Sequence, residues 1–316
     1  MLLKMNETNA IATLSDSVRT YAEAAKSKNT LRAYKADFAS FESWCGACGL
    51  RAMPADGGTV ALYLSHLGNA GKKASTITRA AAAIATVHKL KSHTSPLADA
   101  KVATVLAGIR RSKGTAPTRK APITIEDLRA ISATCASDAA GIRDRAVLLT
   151  GWAGAFRRSE IAALQVSDVA FQRDGVVVTL RKSKTDQTGE GRNVGIPYGS
   201  DPKTCPVRTL QSWLKISNVK DGALFRSVGK SGRIGDSISD RTVAEIVKSR
   251  ALNAGLGSFD FSGHSLRAGF VTTAAKAGKT LDAIMAQTGH RSTATALGYI
   301  RRATVFERNA ASGIGL

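Results

Sequence analysis

The chain has 316 residues, of which 43% are hydrophobic, and its 45 lysines and arginines against 24 acidic residues give a formal net charge of +21 at pH 7. That length and apolar content allow two domains with buried cores. No stretch approaches the ~18 uninterrupted apolar residues of a membrane span. Polar residues interrupt the apolar start of the chain, so we expect neither a membrane segment nor a signal peptide.

The positive charge extends along the whole chain, because basic residues outnumber acidic ones both before and after residue 113. A basic tail on a neutral body would not give this distribution. The excess favours a polyanion that contacts both halves of the chain. The alternative, a basic protein with no particular ligand, accounts poorly for so large an excess.

Residues 1–13 are predicted to form a loose tail, and residues 14–112 an all-helical domain. The predicted helices cover residues 15–26, a longer segment capped by Asn29 or Thr30, residues 59–67, a segment starting at Ser75, and residues 99–110. An aromatic stripe on the second helix could stack bases, but we interpret it as core. His88 lies on an apolar stripe, where a core histidine is more common than a ligand.

Cysteines are few, and two of them are closely spaced. Cys45 and Cys48 have the spacing of zinc ligands, but no second Cys or His pair follows to close a tetrahedral site. A strand that would precede a thioredoxin-like redox motif is also missing. We interpret both as helix-end residues and expect a reducing, cytoplasmic compartment.

Residues 113–121 are rich in proline, glycine and basic side chains, which predicts a linker that runs along the polyanion. Basic residues here and on the first domain are candidate contacts to the phosphates of that polyanion, although a solvated surface position is the alternative use of each. They are Lys72, Lys73, Arg79, Arg119 and Lys120.

Residues 122–316 are predicted to form a mixed, mostly helical domain. Helices are predicted at 125–134 after the cap Thr124, at 141–152, at 204–216 and at 239–253, and a Gly-rich basic loop at 221–236. The one clear β region is a hairpin of strands 175–181 and 193–197, whose loop carries Lys182 and Lys184. Arg241, near a helix start, is a candidate groove-reading side chain, with a solvent-facing position as its alternative.

The segment 261–300 carries the candidate chemistry. His264 and Arg267 are three residues apart in a predicted helix and therefore share one face. Arginine is the side chain best suited to hold a phosphate. Tyr299 follows His290 by nine residues, so we expect it on its own short helix. There a phenol presented to a phosphate site is a candidate nucleophile.

The candidate site residues combine cationic donors with a single nucleophile: Arg157, Lys184, His264, Arg267, His290 and Tyr299. A phosphodiester attacked by an oxygen gains charge on its non-bridging oxygens, and prepositioned donors there can substitute for a metal ion. The sequence has no phosphate loop, metalloprotease, EF-hand or dinucleotide motif, so we expect no cofactor and no metal. The set indicates phosphoryl transfer through a phosphotyrosine.

At these positions the sequence resembles the tyrosine recombinases, or phage-type integrases. The matching motifs are GAFRRSEI (154–161), KSKTD after a strand, HSLR (264–267), TGH (288–290) and Tyr299, in the family's order. The run NTLRAY, Pro54-Ala55 and STI (75–77) resemble the core-binding domain of Cre-like recombinases. Any one motif would be weak, but five in order are specific.

The resemblance implies a role for each matching residue. Tyr299 would be the nucleophile, Arg157 and Arg267 would clamp the scissile phosphate, and His290 would hydrogen-bond it. His264 would accept or position the phenol proton.

Two further residues complete the implied site. Lys184 would protonate the leaving 5′ oxygen, and Glu160 would support the site. Arg158 is the alternative for the first arginine of the clamp, and Lys182 the alternative for the lysine. A structural ion pair with Glu160 is another possible use of the first arginine.

We therefore predict a mainly α protein with a small antiparallel β-sheet, arranged as a two-domain C-shaped clamp with a catalytic domain of the DNA breaking-rejoining type. The implied function is site-specific recombination of double-stranded DNA with a short inverted-repeat site, by a homotetramer, through a 3′-phosphotyrosyl intermediate and a Holliday junction. The residues after Tyr299 are expected to dock on a neighbouring protomer. The short N-terminal tail favours a simple recombinase without an arm-binding domain.

Other classes of protein share part of this pattern. A type IB topoisomerase or a telomere resolvase would use the same chemistry. A catalytically silent sequence-specific DNA-binding protein would keep the basic surface but lose the site, and every implied catalytic position is filled.

Overall fold

The computed structural model describes residues 26–116, 120–181, 191–257 and 261–303. Over these residues the chain is mostly helical with small antiparallel sheets, which confirms the predicted fold class. It divides into two compact units, residues 1–118 and 119–316. No helix in the described ranges is long and apolar enough to cross a membrane. The predicted tail, the first predicted helix up to residue 25, Arg119 and the segment after residue 303 lie outside the described ranges.

The first unit contains four α-helices within its described residues. They are α1 (Lys28–Ala47), α2 (Gly57–Asn69), α3 (Ala74–Leu90) and α4 (Ala100–Lys113). The prediction that Asn29 or Thr30 caps α1 was wrong. Ser27 is the N-cap, because its hydroxyl accepts a hydrogen bond from the amide of Thr30 and both predicted caps already lie inside the helix.

The predicted aromatic stripe is part of the core of this unit. Phe41 and Tyr63 are buried with ring centroids 5.0 Å apart, a tilted arrangement that favours packing over base stacking. His88 is fully buried, and its Nε2 accepts a hydrogen bond of 2.9 Å from the amide of Ala55. The interpretation of His88 as a core histidine is confirmed.

The second unit carries eight α-helices in the residues that the structure describes. They are α5 (Ile125–Ala133), α6 (Ala139–Ala153), α7 (Arg158–Ala163), α8 (Pro206–Ser217), α9 (Asp240–Asn253), α10 (Gly263–Lys276), α11 (Leu281–Thr288) and α12 (Thr293–Ala303). The cap of α5 is the predicted Thr124, whose hydroxyl and backbone amide both bond to Asp127 in a capping box. Ser239, where the predicted helix 239–253 begins, is the N-cap of α9.

Two antiparallel sheets accompany these helices. One has the order β1-β2-β3, with β1 (Val169–Gln172), β2 (Gly175–Leu180) and β3 (Arg192–Pro197), and the other pairs β4 (Arg226–Val228) with β5 (Ile234–Ser237). The prediction of a single hairpin and a loop at 221–236 was therefore wrong. The missed strands have only three or four residues each, and none of these residues is fully buried, so they are too short and too weakly apolar to show a clear alternating pattern.

The second unit has two hydrophobic clusters, which we name the main core and the satellite core. The main core includes the fully buried Phe156, Trp213 and Leu266 and spans most helices of the unit. The satellite core lies under α11 and α12, and its buried members are Val271, Ala275, Ile284 and Ile300.

Trp152 and Phe270 connect the two cores. Trp152 packs against the main core and Phe270 against the satellite core, and their rings meet edge to face with centroids 5.6 Å apart. The indole nitrogen of Trp152 donates a hydrogen bond of 3.0 Å to the carbonyl of Ile123. One side chain therefore contacts both parts of the unit.

Candidate active site

Arg157 occupies the N-cap position of α7, and its guanidinium is fixed by the first turn of that helix. Glu160, three residues later, accepts a hydrogen bond of 2.8 Å from the Arg157 amide and forms a 2.5 Å ion pair with its guanidinium. The Glu160 carboxylate is 4% exposed. The ion pair that sequence reasoning treated as an alternative is therefore present, and it also holds the guanidinium in one geometry.

Arg267, on α10, is 2% exposed and has one unsatisfied group. Its Nη1 donates a 2.7 Å hydrogen bond to the carbonyl of Ala155, whereas its Nη2 has no hydrogen-bond partner within the described part of the chain. Ala155 has a φ of +50°, unusual for a residue other than glycine, in the turn that ends α6.

Burial, and then the charge of Arg157, lower the pKa of Arg267 to about 10. A buried donor without a partner is costly, and an anion placed beside it would both satisfy that donor and offset the repulsion between the two arginines. Arg267 is therefore a candidate anion-binding residue.

His290 follows α11 directly. The helix ends at Thr288, and Gly289 takes the left-handed conformation at φ +65°, which is common after a helix C-terminus. The Thr288 hydroxyl and His290 Nδ1 are 2.9 Å apart. Burial, with the charge of Arg267 next in importance, lowers the pKa of His290 to about 4. The imidazole is therefore neutral near pH 7.

Tyr299 lies on its own short helix, α12, as predicted. Its hydroxyl is 2.7 Å from Nε2 of His264, which is an exposed residue in the first turn of α10. The Tyr299 ring also stacks on the ring of His290, with centroids 5.9 Å apart and an interplanar angle of 26°. The nucleophile candidate thus contacts both histidines of the predicted set.

The structure brings together six of the predicted site residues: Arg157, Glu160, His264, Arg267, His290 and Tyr299. Lys184 and its alternative Lys182 lie outside the described residues. Arg158 turns away from this cluster, since it is about half exposed and pairs with Asp240 at 3.2 Å.

The candidate DNA-binding residues are distributed over both units. Arg241 is exposed on α9 and pairs with Glu245 at 2.8 Å. Arg79 forms a two-bond contact with Asp37 on the first unit. The remaining described members are Lys72 and Lys73, next to the start of α3, and Lys120, which is exposed.

Arg192 belongs to the site, and sequence reasoning missed it. It begins β3, and its charge contributes to the lowered pKa values of both Arg267 and His290. Nothing in the local pattern separates it from other strand-start arginines, because its partners come from a distant helix. The group as a whole is a cationic cluster that includes one carboxylate, that of Glu160. Such a cluster suits a phosphoryl group that is being transferred from one oxygen to another.

Comparison with known proteins identifies relatives over nearly the full chain. The phage integrase family profile matches residues 122–304, and the profile of the N-terminal SAM-like domain of phage integrases matches residues 19–94. An integrase/recombinase XerD homologue of Selenomonas ruminantium is 35% identical over 315 residues, 98% of this chain and 92% of that protein. The tyrosine recombinase XerD of Caulobacter vibrioides is 26% identical over 278 residues, 86% of each chain.

Solved structures show the same fold at low identity. A lambda integrase dimer bound to a COC′ core site matches with a TM-score of 0.61 at 16% identity, covering 91% of this chain and 75% of that chain. XerH bound to a palindromic difH substrate matches at 0.58 and 18%, covering 80% and 69%. A lambda integrase tetramer bound to a Holliday junction matches at 0.59 and 16%, covering 92% and 76%.

Proposed function

Since this chain belongs to the phage integrase family, we propose that it acts as a tyrosine recombinase, cutting and rejoining double-stranded DNA at a specific site through a 3′-phosphotyrosyl intermediate. One observation carries the proposal. The Tyr299 hydroxyl lies 2.7 Å from Nε2 of His264, which is three residues before Arg267 on α10, and the buried Nη2 of Arg267 has no hydrogen-bond partner among the described residues. A nucleophile and an anion-binding group therefore share one site.

In the proposed first step, Arg157 and Arg267 bind the non-bridging oxygens of the scissile phosphate, and neutral His290 donates a third hydrogen bond. The arginines offer donors that are already fixed, Arg157 by Glu160 and Arg267 by Ala155. Because these donors need not reorganise, they stabilise the charge that develops on phosphorus oxygens in the transition state.

In the second step the Tyr299 oxygen attacks phosphorus, and its proton passes to Nε2 of His264. The new bond joins the tyrosine oxygen to phosphorus, while the bond from phosphorus to the 5′ oxygen breaks. That oxygen leaves as a hydroxyl after accepting a proton from Lys184, with Lys182 as the alternative donor. The phosphodiester energy is kept in the tyrosyl link, so religation to another 5′-hydroxyl requires no ATP.

The proposed assembly is a homotetramer on two duplexes, each with a short inverted repeat, that exchanges strands through a Holliday junction. Support comes from the structural relatives, which include a recombinase on a palindromic substrate and a tetramer on a Holliday junction. The relatives are bacterial recombinases, which favours recombination in a bacterial cytoplasm over the topoisomerase and telomere resolvase alternatives.

DNA contacts are proposed for both units. Residues 14–112 would form the core DNA-binding domain and residues 122–316 the catalytic domain, joined by the basic linker 113–121. The net positive charge of both parts of the chain supports this arrangement. Lys72, Lys73, Arg79 and Lys120 are proposed phosphate contacts, and Arg241 is a proposed groove-reading side chain.

The test uses nicked, randomised duplex DNA incubated with the protein without metal. An SDS-resistant adduct is expected, and sequencing its DNA gives the target site. Tyr299→Phe should lose the adduct while DNA binding is kept. Tight, salt-sensitive binding with no adduct from any sequence would instead indicate a DNA-binding protein that does not cut.

A further inference from the structure

The guanidinium of Arg192 is bound to the end of the helix that leads to His290. One nitrogen donates to the carbonyls of Gln287 at 2.8 Å and Ala286 at 3.3 Å, and the other donates to the carbonyl of Thr288 at 3.3 Å. The last carbonyls of a helix have no partner within the helix itself. A single side chain on β3 therefore satisfies three carbonyls at the C-terminal end of α11.

These carbonyls lie in the last turn of α11, two to four residues before His290. Gly289 closes the helix with a 2.7 Å hydrogen bond from its amide to the carbonyl of Met285. A side chain at Gly289 would place its Cβ 2.6 Å from Nε of Arg192, so the guanidinium fills the space beside the turn. Thr288, between these contacts, is the residue whose hydroxyl lies 2.9 Å from His290 Nδ1. Arg192 thus fixes the backbone that aims the imidazole.

Arg192 also adds positive charge to the site. Its three contacts described above are to carbonyl groups, none of which is charged. Burial is the largest cause that lowers the pKa of Arg192; the carboxylate of Glu160 opposes it, and the charge of Arg157 adds to it. The charges that lower the pKa of His290 are, from the largest effect to the smallest, those of Arg267, Arg157, His264 and Arg192. Burying a guanidinium next to other cations costs free energy unless its N–H groups donate hydrogen bonds that offset this cost.

We propose that Arg192 is a positioning residue for the recombination reaction, which holds the C-terminal end of α11 so that His290 points at the scissile phosphate. It contacts neither the phosphate nor the reacting oxygens. This inference rests on the proposed function, since it assigns Arg192 to the same site. A lysine would keep the charge but cannot present the rigid fork that reaches three carbonyls.

The experiment compares Arg192→Lys and Arg192→Gln with the matched control Arg181→Gln. Arg181 directly follows β2, the strand that pairs with β3, and its hydrogen bonds within the described residues are to Asp168 at 2.6 Å and to Ser167 at 2.9 Å. Each variant is tested on the duplex recovered from the adduct. We expect both Arg192 variants to slow adduct formation at saturating DNA by about 10²-fold, the cost of a small misplacement of a catalytic group, with DNA affinity unchanged.

A second readout uses the protein without DNA. The ring resonances of His290, assigned with a His290→Gln variant, should shift in both Arg192 variants and stay in place in Arg181→Gln. In Arg192→Gln the pKa of His290 should also rise, because one facing cation is gone. Rates within about threefold of the parent chain, or unshifted His290 resonances in folded variants, would overturn the proposal.

The two proposals fail separately. An adduct that persists in Tyr299→Phe would contradict the proposed mechanism. The His290 resonances of the DNA-free protein would still show whether Arg192 positions His290. Loss of folding in both Arg192 variants would count against positioning, since the residue would then serve stability alone.

Discussion

The two sides of the active site rest on different parts of the second unit. Arg157, Glu160 and Arg267 are carried by α7 and α10 where these helices pack on the main core. His290 and Tyr299 are carried by the end of α11 and by α12, which rest on the much smaller satellite core. Regions with few buried contacts open at lower free energy than a large core. The side with the two proposed phosphate-binding arginines, the phosphate-binding side, is therefore built on the larger core, whereas His290 and the proposed nucleophile are held by few side chains.

The largest expected effect comes from truncating one side chain in each core. Leu266→Ala, at a fully buried site of the main core, should lower the free energy of unfolding of the second unit by about 2–5 kcal/mol. Ile284→Ala, at an equally buried site of the satellite core, should act mainly on α11 and α12. Denaturant unfolding and amide hydrogen exchange measure the two effects. Equal loss of protection in α6 and α11 after Ile284→Ala would show that the two cores unfold as one.

The next effect tests the phosphate-binding side alone. Arg157→Ala should slow adduct formation by about 10²–10³-fold, because one fixed donor to the transition state is lost. The control is the neighbouring Arg158→Ala, which removes an exposed guanidinium paired with Asp240 and should leave the rate nearly unchanged. If Arg158→Ala slowed adduct formation more than Arg157→Ala, Arg158 rather than Arg157 would be the proposed phosphate-binding residue.

The smallest effect concerns the protonation of His290. In the protein alone its pKa is lowered to about 4, so histidine NMR should show a ring that stays neutral down to about that pH. Inorganic phosphate in the site should raise this pKa, because an anion favours the charged imidazole. A titration that phosphate leaves unchanged, against chloride at equal ionic strength, would mean that His290 does not face the anion.

The same depressed pKa predicts how acid affects stability. Between about pH 6.5 and 4 the unfolded chain binds a proton at His290 that the folded chain does not. The free energy of unfolding therefore falls as the pH falls through this window. His290→Gln should flatten that dependence in denaturant titrations, and an identical slope in the variant would contradict the burial of the neutral ring.

Local signals in the sequence were sufficient for much of this structure. The caps Thr124 and Ser239 and the short helix of Tyr299 follow from side-chain chemistry within a few residues. What was missed depends on partners far along the chain. Arg192 meets Gln287 across 95 positions, and only the tertiary fold brings them together. The short, exposed strands β1, β4 and β5 are held by pairing rather than by their own composition.

The contact of Trp152 with Phe270 makes intrinsic fluorescence a natural reporter on this molecule. The chain has three tryptophans: Trp44 in the first unit, Trp213 inside the main core, and Trp152 between the two cores of the second unit. A chain with phenylalanine at the first two positions would emit from Trp152 alone. Its emission would report on the packing between the two cores, with and without DNA, and would need no attached dye.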